Sequence, residues 1–109
     1  MLQNNKTNND IGKNLKVIEF LKCELLNTVA LLFETMMKGL KNSQELVLEC
    51  LVNLLLVTYT LGKRAGFDYE LLDRKLEEKI KVSILEEHHL EKWYGDLSSL
   101  NEHINNHGK

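Results

Sequence analysis

Proline is missing from all 109 residues, where ordinary usage would supply about five. Proline marks turns and breaks helix interiors, so its absence argues for few, long, uninterrupted elements, and long helices fit best. Aromatic residues are scarce, at 6%, and no basic stripe interleaves with them. That removes the footprint of nucleic-acid recognition. An excess of either charge is lacking too, since 14 basic and 16 acidic residues leave a net charge of −2. Cys23 and Cys50 are the only cysteines, each inside an apolar run. With no apolar leader ahead of them, they read as structural thiols in a reducing cytoplasm. The most apolar stretch, residues 46–61, is interrupted by Glu49 and Asn53 and is shorter than a bilayer requires. No membrane crossing is expected from it. Glycine-rich phosphate loops, Cys-x-x-Cys pairs and nucleophile elbows are also absent, which leaves helix-borne side chains as the source of any chemistry.

What is present has helical spacing. Leu15, Ile18, Leu21, Leu25, Val29, Leu32 and Met36 recur at steps of three and four, which predicts a helix over 14–38 that stops at Gly39. Asn42 or Ser43 caps a second helix over 43–65, with Glu45 in its first turn, Lys63 and Arg64 in its last, and Gly66 as the stop. The short link makes the two helices an antiparallel hairpin. The second helix is apolar nearly all round from Leu46 to Val57, so it must be covered on most sides, and a second subunit is the expected cover. Val52, Leu55 and Tyr59 accordingly read as core. A third helix starts at Tyr69 behind Asp68 and ends near 82–83 or 89. After Gly95 and Asp96, a short last helix carries Leu97, Leu100 and Ile104. The expected fold is therefore all-α: an antiparallel helical hairpin or bundle of three to four helices, as a homodimer. Its divisions are a disordered polar tail at 1–12, the helical domain at 13–92, and a short C-terminal helix or tail at 93–109.

Three groups of polar residues merit chemical attention. His103 and His107 stand at i and i+4, a spacing that chelates metal on a helix face, but no third ligand accompanies them. His88 and His89 are adjacent, so they point about 100° apart and read as surface. Glu49 and Asn53 are the strongly polar residues inside the apolar second helix and share one face. A carboxylate there needs an edge, a lysine or a metal, whereas an asparagine across a helix interface sets register.

Two segments resemble a known family. Glu49-Cys50-Leu51-Val52-Asn53-Leu54-Leu55, continuing through Leu61-Gly62-Lys63-Arg64-Ala65-Gly66-Phe67-Asp68, is similar to a Glu-Glu-Leu-Ala-Asp-Val-Leu stretch later followed by Arg-Leu-Gly-Ile-Asp. That stretch is found in MazG-like proteins of the all-α nucleoside triphosphate pyrophosphohydrolase superfamily. The run from Leu25 to Glu34, ahead of Gly39, is similar to the same family's Glu-Glu-x-x-Glu-Leu-x-Glu helix. The likeness covers residues 14–83. It implies a hairpin fold and, in active members, four carboxylates from facing helices that hold Mg²⁺ against a triphosphate. The corresponding positions here are Thr28, Leu31, Cys50 and Asn53, none of them an acid. The resemblance thus implies a non-catalytic or altered member with no resident metal. A second reading keeps an active Mg²⁺-dependent enzyme by recruiting the relocated acids Glu24 and Glu49, with Glu34 and Glu45 nearby. A third is a regulatory protein-interaction module. Were nucleotide to bind, Lys79, which matches a basic residue of the family, and Lys63 and Arg64 would meet its phosphates. Cleavage, cofactor and partner are expectations from these residues alone.

Overall fold

The computed structural model describes residues 2–39, 43–86 and 88–107, with side chains from Asp10 to Asn106 within those spans. The secondary structure of the described residues is all helix, with no strand among them, in the order α1 (Leu2–Lys38), α2 (Ser43–Arg64), α3 (Tyr69–Leu85), α4 (His89–Tyr94) and α5 (Asp96–His107). They form two compact units, 1–68 and 69–109. The boundary expected at 92/93 falls within α4, inside the second unit.

In the first unit α1 and α2 pack as an antiparallel hairpin. Helical backbone begins at Leu2 rather than at the expected Asn14. No proline interrupts 2–13, and a helix already nucleated downstream extends at little cost per residue. The link residues 40–42, which include the expected cap Asn42, lie outside the described residues. Gly39 takes a left-handed φ of 59° at the end of α1, a conformation glycine adopts without a Cβ penalty. The end of α2 is a two-bond closure: the Phe67 N–H donates to the Gly62 carbonyl (2.9 Å) and the Gly66 N–H to that of Lys63 (3.1 Å). This satisfies carbonyls that a helix end otherwise leaves open.

The seam between α1 and α2 is made by Leu21, Thr28, Leu32 and Thr35 from the first helix and Cys50 and Val57 from the second, all buried. Val57 is the most enclosed, at 1% exposure. Two expectations are corrected here. Leu15 and Met36, placed on the inner stripe by spacing, are exposed, and the buried stripe takes in two threonines instead. Val52 and Leu55, read as core, are also exposed, at 54% and 62%. The reason is geometric: one partner helix covers a single stripe of α2, and its other faces are apolar without being covered. By length and composition α2, with 22 residues, is apolar enough to cross a membrane, since the helix extends beyond the 16-residue stretch weighed in the sequence.

In the second unit α3 packs on α5, and α4 on α5, with Ile80 buried. The six-residue α4 adds one helix to the expected three to four. His88 Nδ1 accepts from the Leu90 N–H at its start (3.2 Å), and Gly95, at φ 67°, closes its end. The first turn of α5 is tied back to α4. Glu91 accepts from the Ser98 N–H (2.9 Å) and from the Ser98 hydroxyl. Those bonds, the hydroxyl first, hold the Glu91 carboxyl below its ordinary value of 4.5.

Candidate functional site

The polar centre of the hairpin lies midway along the seam. Asn53, on α2, donates its side-chain amide to two groups of α1: the Thr28 hydroxyl oxygen at 2.8 Å and a Glu24 carboxylate oxygen at 3.2 Å. Thr28 is buried, and Glu24 and Asn53 are half-buried. Helical geometry explains the meeting. Glu24 and Thr28 are four apart and therefore stacked on one face, and an antiparallel α2 brings Asn53 opposite both. Cys50, three residues before Asn53, is a buried free thiol on the same side of α2.

Other predicted residues are placed elsewhere. Leu31 is 42% exposed, away from the seam, and Glu49 is exposed on α2. Lys63 Nζ lies 3.9 Å from an Asp68 carboxylate oxygen just beyond the end of α2. Arg64 contributes its backbone carbonyl, which accepts from the Asn14 side chain at 3.0 Å. Asn14 thus closes the far end of the hairpin, a role its spacing in the sequence did not signal. Lys79 belongs to the second unit, where it lines an open groove of about 340 Å³ with Lys75, Glu78, Val82, Ser83 and Glu86. Of the paired histidines, His89 stacks on Trp93 with ring centres 5.0 Å apart. His103 lies on α5, and the side chain of His107 is outside the described set. Among the described residues no three histidine, cysteine or acidic side chains converge as a metal-binding group.

The family model of MazG-like proteins matches residues 11–97. The chain belongs to the MazG-like family. That span takes in nearly all of the hairpin and continues through α4. No curated protein and no solved structure matches the chain. In this MazG-like hairpin, three of the four positions that the sequence resemblance matched to acids, Thr28, Cys50 and Asn53, sit at or beside the seam, and the fourth, Leu31, does not. The donor set they present is a hydroxyl oxygen, a thiol, an amide and a hydrocarbon. Magnesium takes hard oxygen ligands in near-ideal octahedral geometry, and a thiol is a soft ligand. The set does not fit the ion. Glu24 brings a carboxylate to the cluster, yet one oxygen already accepts from Asn53.

Proposed function

We propose that this MazG-like protein does not hydrolyse nucleoside triphosphates, and that its hairpin is kept as a scaffold. The observation that carries the reading is the Asn53 amide, which donates to Glu24 and Thr28 at 3.2 and 2.8 Å. An amide N–H₂ directed at a carboxylate does the opposite of what a ligand must do: it supplies hydrogen-bond donors where a cation requires electron pairs. A hydrogen-bonded bridge of this kind holds two helices in register without a metal. The lost acids are also the groups that, in active relatives, let metal neutralise the triphosphate and activate water. The reading with relocated acids draws on Glu24 and Glu49, of which the first accepts from Asn53 and the second is exposed.

The test is a pyrophosphate-release assay over the common ribo- and deoxyribonucleoside triphosphates with Mg²⁺ or Mn²⁺. No release above a protein-free control is expected. Turnover that disappears on Glu24→Gln or Glu49→Gln would instead establish the relocated site. A thermal-shift panel of the same nucleotides without hydrolysis separates a nucleotide-holding scaffold from a purely protein-binding one.

A further inference from the structure

In the second unit, α4 is tethered by two side chains that accept hydrogen bonds and also take up protons. At its start His88 is extended, with φ −50° and ψ 149°, and serves two helices at once. Its N–H donates to the Ser83 carbonyl (3.1 Å), closing α3, and its own carbonyl accepts from the N–H groups of Glu91 and Lys92 (2.9 Å each). The ring completes the joint, because Nδ1 accepts from the Leu90 N–H at 3.2 Å. The second tether is the Glu91 carboxylate, which accepts from the N–H and hydroxyl of Ser98 on α5. The capping role of His88 ordinarily falls to Asn, Asp, Ser or Thr, and none of these changes charge near neutral pH. An imidazole is different. It accepts at one nitrogen only while neutral, and once protonated both nitrogens are donors.

We propose that His88 is a proton-sensitive joint between α3 and α4. A proton taken from solvent onto the Nδ1 lone pair turns the cap from acceptor into donor. The Leu90 N–H then faces another N–H, and the start of α4 is released while Glu91 still ties α4 to α5. Solvent reaches the ring, since His88 is exposed. The bond is present above the imidazole range, about pH 6.5, and is lost as pH falls through it; carboxylates take up protons only nearer pH 4. The two tethers therefore let go in order, the histidine first. The charged and titratable groups around the joint are Glu86 just past α3, His89, Glu91 and Lys92 on α4, and Asp96, Glu102 and His103 on α5, the helix packed on α4. Of these, Glu91 is engaged by Ser98. The His89 ring lies 6.2 Å from that of His88 and stacks on Trp93 with centres 5.0 Å apart. A protonated His89 keeps a favourable contact with the face of Trp93, so acid acts on the cap and leaves the stack.

The experiment is nuclear magnetic resonance of the isotope-labelled full chain, titrated from about pH 8 to about pH 5 across the imidazole range. At the alkaline end the His88 ring is expected as the Nε2–H form, with Nδ1 bare. Protection of the Leu90 amide, taken relative to its intrinsic exchange rate at each pH, should fall about three- to ten-fold. Its midpoint should coincide with that of the His88 ring, while Ser98 keeps its protection across the same range. His88→Asn, which caps without titrating there, should flatten the Leu90 profile, and His89→Asn should leave it in place. An Nδ1–H ring at the alkaline end would overturn the inference. So would Leu90 protection that stays constant while His88 titrates, or a step that survives in His88→Asn or disappears in His89→Asn. Should a variant fail to fold, the ring form and the two midpoints in the unaltered chain decide.

Discussion

Asn53 is where a single side chain carries most meaning. A polar residue in the middle of an apolar helix was conspicuous in the sequence, and its role as a cross-helix bond was one of the alternatives that spacing left open. Its partners were less visible. Thr28 stood out through the family alignment and Glu24 as a possible ligand, and neither reading pairs them with an amide donor. Asn53→Ala removes that donor and leaves the buried Thr28 hydroxyl without it. The expected loss is about 1–2 kcal/mol, read as a lower urea midpoint at unchanged slope. Val57→Ala tests the apolar side of the same seam: two methyl groups lost at 1% exposure should cost about 2 kcal/mol. Thr35, equally buried on α1, gave no signal in the sequence, because a threonine between Glu34 and Met36 looks like any exposed helical residue.

Element boundaries depended on short signals that were mostly readable. Gly39, Gly66 and Gly95 each end a helix at positive φ, as their places after apolar runs indicated. Gly66, at φ 104°, lies in a region that a Cβ disfavours. Gly66→Ala should therefore lower stability by about 1–2 kcal/mol, seen as reduced protection from hydrogen exchange in the last turn of α2. Periodicity overlooked α4, because six residues are too few to show a stripe. What holds α4 to α5 is Glu91 accepting from Ser98. Its folded-state carboxyl is held below 4.5, so the carboxylate stabilises the junction above that pH and the contribution is lost as pH falls through the lower folded value. The protection of the Ser98 amide, taken relative to its intrinsic exchange rate at each pH, should fall on acidification below about pH 4.5. In Glu91→Gln that protection should be low already at neutral pH.

For the molecule as a whole, the homodimer expected from the sequence would make stability a function of concentration. A chain whose folded state is dimeric gains melting temperature on concentration by mass action. Raising the protein tenfold should then move the thermal midpoint upward by a few degrees, and an unchanged midpoint would rule that expectation out.

The sequence alone determined that the chain is helical and that its first two long helices turn back on each other. Each follows from residue type and spacing, which act locally along one chain. Only the tertiary structure decided which apolar stripe is buried. A helix that is apolar on several faces satisfies the same periodicity whichever face turns inward, and the choice of Thr28 and Thr35 over Leu15 and Met36 is made by the shape and hydrogen bonds of the neighbouring helix.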